Sequence, residues 1–341
     1  MFAPAFYWYY TGSRHGLTKG APVKILITGS TGFVGGTIGR FAAGVGHEVL
    51  GVSRAMQANI GWPGKYLAAD VGSADLSPAI RDFAPDAVFH AAETPPVEAS
   101  FTAPLEDLRA SLLSWANLLE SVRQSGKQPL ILYPSSAAVY GQLKKLPVGE
   151  DAMLLPISPY GFHKAACELL AREYATCFDQ RITVCRFFSL FGESQRRLLI
   201  WELFCQMAGP EDIVWLQGTG EETRDYLYEE DMAAAVLLLI ESQAENVVPN
   251  NIRLVNVASG VEIGVLELAK QMRSLIAPKK EIHCHGTQRR GDPKRWQADI
   301  SYLRSLAPSW KPRPLAKGLA SCVAAWQKGQ SIEPCKTPPR C

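Results

Sequence analysis

What this sequence lacks narrows it first. Its 35 Lys and Arg residues nearly cancel its 33 Asp and Glu, leaving a formal charge of +2. So even a balance provides no concentrated basic face, and a nucleic-acid partner is not expected. No apolar run approaches the roughly 18 residues that a membrane-spanning helix requires. The longest, "MAAAVLLLI" at Met232–Ile240, suits one buried helix, so no membrane partner is expected either. The eight cysteines (Cys167, Cys177, Cys185, Cys205, Cys284, Cys322, Cys335 and Cys341) contain no C-x-x-C pair and no metal-ligand rhythm, which argues against a metal site. Most of them sit in apolar surroundings and read as reduced core thiols of a cytoplasmic protein. Cys335 and Cys341 lie in a polar, proline-rich tail and carry no evident chemistry. Internal repeats and long low-complexity linkers are missing too. The N-terminal "MFAPAFYWYYTGSRHGLTKGAP" has no basic start, aliphatic core or small-residue cleavage site, so it reads as a loosely ordered extension rather than a secretory signal.

What is present is the composition of an ordinary soluble globule, 47% hydrophobic and 20% charged, in a chain of 341 residues. That length accommodates one large α/β domain with a smaller one attached. Strand-like runs open the chain: "VKILITG" (Val23–Gly29), "HEVLGVS" (His47–Ser53), "YLAAD" (Tyr66–Asp70), "DAVFHAA" (Asp86–Ala92) and "PLILYPSS" (Pro129–Ser136). Helical patterns alternate with them, among them "PLEDLRASLLSWANLLESVRQSG" and Tyr160–Phe178, and "RITVCRFFSLFG" adds another strand. Alternation of this kind predicts a doubly wound parallel sheet covered on both faces, the Rossmann-type α/β class. The expected division is an extension (1–22), a dinucleotide-binding domain (23–192), a smaller, partly interleaved α/β substrate-binding region (193–329) and a flexible tail (330–341). In that smaller region, helices near Arg197–Met207, Glu229–Ser242 and Gly264–Ile276 mix with short strands such as "IRLVNVA" (Ile252–Ala258).

The segment "ITGSTGFVGG" sets Gly29, Gly32 and Gly35 at G-x-x-G-x-x-G spacing directly after the first strand. Without Cβ atoms, the first can turn tightly, the second admits a pyrophosphate to the backbone, and the third allows close helix–sheet packing. The helix N-terminus that follows offers N–H donors and positive dipole. This placement predicts a bound dinucleotide. Cofactor choice is read at the end of the second strand, where an acid would hold the ribose 2′-hydroxyl of NAD. Here "GVSRAMQ" supplies Ser53 and Arg54. An arginine can pair with a 2′-phosphate, so within NAD(P)(H) the reading leans to NADP(H), although Arg54 could equally stack on adenine or face solvent.

Tyr160 and Lys164, in "PISPYGFHKAACELL", stand one helical turn apart and can point to the same place. A nearby ammonium favours the phenolate, as a tyrosine acid/base requires. Y-x-x-x-K alone arises by chance in many proteins. Two neighbouring features add to it. "YPSSAAVYG" puts the hydroxyls of Ser135 and Ser136 at the C-terminal end of a strand, where ligands gather in open parallel sheets. "VFHAA" brings Ala91 and Ala92, small enough to let a cofactor pass, to the same edge.

Together these motifs resemble the extended short-chain dehydrogenase/reductase family, in its NAD-dependent nucleotide-sugar epimerase/dehydratase branch of the UDP-glucose 4-epimerase kind. "TGSTGFVGG", "AADV", "VFHAA", "SSAAVYG", "SPYGFHK", "RFFSLFG", "GTGEETRDYLYEEDMAAAV", "NVASG" and "RRGDPKRWQADIS" occur in family order between about Val23 and Trp326. The resemblance implies Tyr160 as catalytic acid/base, Lys164 holding ribose and lowering the tyrosine pKa, and Ser136 completing a triad. It implies Asp70 and Val71 at the adenine, with Thr31, Phe33, Val34, Ser111, Ser135 and Phe187 among the cofactor contacts. Arg224 of "ETRDY" and Arg289 of "RRGD" would bind a substrate diphosphate, with Asp292 and Ser189 beside them. Read by itself, each arginine is equally a surface charge. A homodimer through the Pro104–Ser125 and Pro159–Phe178 helices is implied as well.

Three departures matter. The acidic pair that dehydratases of this branch carry after the catalytic hydroxyl is replaced by Ala137 and Ala138, so 4,6-dehydration is not expected. Two asparagines usual in the family are Ser111 and Ser189, which can still hydrogen-bond with shorter reach. The leading expectation is an NAD(P)-dependent epimerase of nucleotide sugars acting at C4. An NADPH-dependent 4-keto-sugar reductase is the alternative, and a non-catalytic dinucleotide-binding redox sensor is a weaker third.

Overall fold

The computed structural model describes residues 21–92, 97–143, 145–242, 249–287 and 290–328. Arg289, residues 1–20 of the extension and the tail beyond 328 fall outside them. The strands in chain order are β1 (Lys24–Thr28), β2 (Glu48–Ser53), β3 (Lys65–Ala68), β4 (Ala87–His90), β5 (Leu130–Ser136), β6 (Arg181–Phe187), β7 (Ser189–Phe191), β8 (Ile213–Leu216), β9 (Thr223–Tyr228), β10 (Ile252–Val257), β11 (Glu262–Gly264) and β12 (Glu281–Cys284).

Seven of them form one parallel sheet in the order β10-β6-β5-β4-β1-β2-β3. Because both faces are covered, the strands are apolar on both sides. In β1, Ile25 and Ile27 enter the core beneath the Phe33–Gly44 helix, while Leu26 enters the opposite core with Trp115, Leu118 and Ala171. The chain winds outward from β1 to β3, then crosses back to β4. Strand order therefore reverses between β1 and β4, and the crevice at their C-terminal ends is where an open α/β sheet binds ligands.

The doubly wound α/β expectation holds, with refinements. β10 does not stay with the smaller region: it pairs in parallel with β6 as the seventh strand of the main sheet. The Glu229–Ser242 helix packs against Phe33–Gly44. Both segments are apolar enough to be drawn into the larger core, so a cut at residue 192 would strip one edge and one cover from the sheet. The remainder builds a third core between the Leu198–Ala208, Val265–Ile276 and Leu315–Lys328 helices and the small β11-β9-β7 sheet. The Pro104–Ser125 segment is helical but carries one π turn at Arg109–Leu113, a local widening frequent at functional sites. Cys167, Cys185 and Cys322 are free, buried thiols as expected; Cys177 is free but exposed and Cys284 free and half-buried, whereas Cys205 is disulfide-bonded. None of the described helices is long and apolar enough to cross a membrane.

A buried ion pair pins the Pro159–Cys177 helix to the sheet. The Arg186 guanidinium of β6 donates to Glu168 through Nε at 3.0 Å and Nη2 at 2.7 Å, and through Nη1 to the Tyr140 hydroxyl and the Glu150 carbonyl, both at 2.9 Å. Removing one partner of such a pair leaves a buried charge uncompensated. Glu168→Ala is expected to lower unfolding free energy by about 3–5 kcal/mol in chemical denaturation; a loss below about 1 kcal/mol would mean the pair does not hold the helix.

Candidate active site

The glycine loop is tighter than spacing alone requires. Gly29 has φ of +66°, and a Cβ there would lie 2.2 Å from the Ala91 carbonyl oxygen and 2.6 Å from the Ala92 nitrogen. Glycine is the residue that tolerates both the positive φ and the contact. A Cβ on Gly35 would sit 2.6 Å from the Gly29 oxygen, and the Gly32 N–H closes the turn onto that oxygen at 2.9 Å. Gly32 caps the Phe33–Gly44 helix with no side chain, and the first turn, including the half-buried Phe33 and Val34, carries no acid. Backbone donors and helix dipole thus meet a turn whose closeness depends on Gly29 and Gly35 lacking Cβ atoms, a fit for the pyrophosphate of NAD(P)(H).

At the end of β2, Ser53 is buried and its hydroxyl lies 3.0 Å from Thr31 Oγ1 and 2.9 Å from the Tyr66 hydroxyl. Arg54 is exposed beside it. The Asp70 carboxylate accepts the Gly72 N–H at 3.0 Å and so shapes its own turn, while the Val71 side chain joins the core. Asn117 was not foreseen: its amide donates to the carbonyls of Val71 at 2.8 Å and Ala74 at 2.7 Å, fixing that turn from the Ser114–Ser125 helix.

The two residues at helical spacing do converge. Lys164 is only 2% exposed; its Nζ donates to the Pro134 carbonyl at 2.6 Å and lies 5.7 Å from the Tyr160 ring centroid and 4.9 Å from that of Tyr133. Ser158 caps the helix by accepting the Gly161 N–H at 3.2 Å, with Pro159 at its first position. A Cβ on Gly161 would meet the Ala138 carbonyl oxygen at 2.6 Å, so the absent side chain lets the start of this helix rest on the turn that Ser136 begins. Ser136 Oγ accepts the Ala138 N–H at 3.2 Å. Its neighbour Ser135 faces the other way, as strand alternation requires, and donates to Glu168 at 2.5 Å. Phe187, which closes β6 in register with Ser136, is buried, as is Ser111 within the π turn.

On the far rim, Arg224 of β9 and Asp292 come together. Nη2 lies 2.7 Å from Asp292 Oδ1, Nη1 donates to the Thr223 and Pro293 carbonyls at 2.7 and 2.9 Å, and the guanidinium stands 5.1 Å from the Trp296 ring centroid. Ser189 pairs with Tyr226 two residues on, along the same small sheet. Arg289 lies outside the described residues. Its neighbour Arg290 covers the Phe101 ring, and a Cβ on Gly291 would meet that ring at 2.6 Å and the Ser158 Cβ at 3.2 Å, so this stretch closes on the Val97–Thr102 helix and on the cap of the helix that bears Tyr160.

Comparison with known proteins decides the lineage. The profile of the NAD dependent epimerase/dehydratase family matches residues 25–258. The chain belongs to that family. Among its relatives, UDP-glucose 4-epimerase of Mycolicibacterium smegmatis is 26% identical, with 88% of this chain and 97% of that one covered. GDP-6-deoxy-D-mannose reductase of Pseudomonas aeruginosa is 27% identical, covering 89% and 97%. A solved structure of MoeE5 in complex with UDP-glucuronic acid and NAD is 27% identical, covers 90% of this chain and 99% of that one, and superposes with a TM-score of 0.79.

In this epimerase/dehydratase chain, the residue most clearly missed by motif reading is His90. It is fully buried, hydrogen-bonded through Nδ1 to Thr28 Oγ1 at 2.9 Å, and its ring lies tilted by 32° against Trp115 at 5.2 Å. Thr28 Oγ1 in turn accepts the Ala92 N–H at 3.3 Å, so the imidazole braces the strand end against which Gly29 rests. Its sequence signal was slight: one polar residue in an apolar run. Burial, reinforced by the charge of Lys164, pulls its pKa down to about 3 from 6.5. The unfolded chain therefore binds a proton near pH 6.5 that the folded protein refuses until about pH 3. Stability should fall as pH drops below 6.5, by about 1.4 kcal/mol per pH unit from this residue. Denaturation midpoints measured between pH 4 and 7 should show that slope, and His90→Gln should lose it; an unchanged slope would exclude the assignment.

Proposed function

We propose that this protein is a nucleotide-sugar epimerase that works by reversible hydride transfer at sugar C4, with Tyr160 as its acid/base. The observation that carries the reading is the Lys164 ammonium, buried between the rings of Tyr160 and Tyr133. A cation there stabilises the phenolate that accepts a proton. When bound, NAD(P)(H) supplies the ring that takes up hydride and returns it. The remaining work belongs to the chain. Tyr160 removes the C4 hydroxyl proton and later restores it. Ser136, whose oxygen already accepts from Ala138, has its O–H to give to the sugar oxygen. The glycine loop and first helix hold the pyrophosphate, and Lys164 holds the ribose. Arg224, poised by Asp292, and Arg289 take the substrate diphosphate, a task suited to planar charged forks. Ala137 and Ala138 offer no acid for elimination, which favours hydride transfer without dehydration.

A second reading, an NADPH-dependent keto-sugar reductase, is favoured by one observation: Arg54 stands where an acid would mark NAD. Purified protein incubated with UDP-glucose and UDP-N-acetylglucosamine, without added cofactor, separates the two. Isomerised product supports the epimerase. Product that forms only with NADPH and a keto-sugar supports the reductase. In either case Tyr160→Phe should slow turnover by about 10²–10⁴-fold while dinucleotide binding persists; full activity in that variant would remove the acid/base assignment.

The assembly we propose is a homodimer. Leu105 and Leu113 on one helical segment, and Phe162 and Leu169 on the other, are exposed at one-face spacing, an apolar surface suited to a four-helix contact. Light scattering should give twice the 37.3 kDa chain mass, and Leu169→Glu should halve it. A monomeric parent protein would contradict the assembly.

A further inference from the structure

The end of β2 holds four groups whose hydrogen-bonding capacity can be counted. The Tyr66 hydroxyl donates to the Ala55 carbonyl at 2.6 Å, so its one proton is spent. It lies 2.9 Å from Ser53 Oγ and can only accept there, which makes Ser53 the donor. Ser53 Oγ is in turn 3.0 Å from Thr31 Oγ1 and 3.3 Å from the Ala55 N–H, which fill its two acceptor positions. One direction of donation satisfies every contact: Thr31 to Ser53, Ser53 to Tyr66, Tyr66 to Ala55. Ser53 is then saturated, and it is buried. It has nothing left for a ribose.

The consequence falls on Arg54. The residue before it is fixed through its hydroxyl, and the residue after it through both its N–H and its carbonyl. The same loop is tied to the glycine turn by Asn59, whose amide donates to the Thr31 carbonyl at 2.9 Å. Arg54 is exposed, has no ion pair among the described residues, and no carboxylate takes part in the hydroxyl chain beside it. A short rigid backbone thus presents one guanidinium where an adenosine 2′ substituent would arrive.

We infer that Tyr66 and Ser53 are positioning residues that favour a 2′-phosphorylated dinucleotide by holding the backbone from which Arg54 projects, with the Arg54 side chain alone making the contact. This rests on the reading of the crevice as an NAD(P)(H) site and adds that selectivity is built by a hydroxyl chain rather than by Ser53 touching the ribose. A phosphate dianion paired with a guanidinium gains charge-assisted hydrogen bonds that a 2′-hydroxyl does not, and a backbone already held on both sides of Arg54 loses less freedom on binding.

The test is equilibrium binding of NADPH and NADH to the purified full chain, followed by nicotinamide fluorescence, with adenosine 2′,5′-bisphosphate as a competing probe that carries the 2′-phosphate alone. Arg54→Gln should weaken NADPH and the bisphosphate by about tenfold or more and leave NADH within twofold. Tyr66→Phe and Ser53→Ala should each weaken NADPH several-fold, again sparing NADH, and neither should add to Arg54→Gln in a double variant. If Arg54→Gln behaves so while Tyr66→Phe and Ser53→Ala do nothing, or weaken both dinucleotides equally, the positioning role is wrong and the NADP(H) preference survives. Full additivity in the double variants would also overturn it. If Arg54→Gln leaves the NADPH-to-NADH ratio unchanged, the preference itself falls and this inference with it. Retained NADH binding shows that each variant is folded.

Discussion

One buried cation organises the centre of this molecule. An ammonium at 2% exposure is costly unless its surroundings compensate, and Lys164 meets a strand carbonyl and two aromatic rings. Its field reaches beyond Tyr160. It helps keep His90 neutral, and the neutral imidazole holds Thr28, whose hydroxyl accepts from Ala92. That strand end is the surface on which Gly29 turns. The Tyr160–Lys164 pair and the glycine turn, far apart in sequence, therefore lean on one charge.

A second polar system ties the two regions together. The Glu168–Arg186 pair reaches the Tyr140 hydroxyl, which donates to Asn256 Oδ1 at 2.7 Å. Asn256 Nδ2 donates to the carbonyl of Val148 at 2.9 Å and to that of Asp299, in the segment that follows Asp292 and Trp296, at 3.3 Å. Ser135, beside the candidate catalytic serine, enters the same system through Glu168. The helix bearing Tyr160 and the stretches at Val148 and Asp299 are thus set by shared buried hydrogen bonds. Such networks define one geometry because leaving any member unpaired is expensive. This also explains why β10, which carries Asn256, belongs to the main sheet despite its late position in the chain.

The sequence alone determined the α/β class, the glycine turn and the Tyr160–Lys164 face, because glycine spacing, strand–helix alternation and i,i+4 geometry are local and survive without tertiary information. Strand spacing alone could not tell Ser135 from Ser136, which only the family resemblance separated, since the sheet decides which side of a strand is buried. His90 lies inside "VFHAA" without a role read for it, Asn117 and Tyr66 bear no motif, and what each does follows from the residues packed beside it. The Pro104–Ser125 helix was legible but its π turn was not. The placement of β10 and of the Glu229–Ser242 helix, the convergence of Arg224 with Asp292 and the saturation of Ser53 were decided only by the fold. Each depends on contacts between residues tens to more than a hundred positions apart, which no local pattern of side chains encodes.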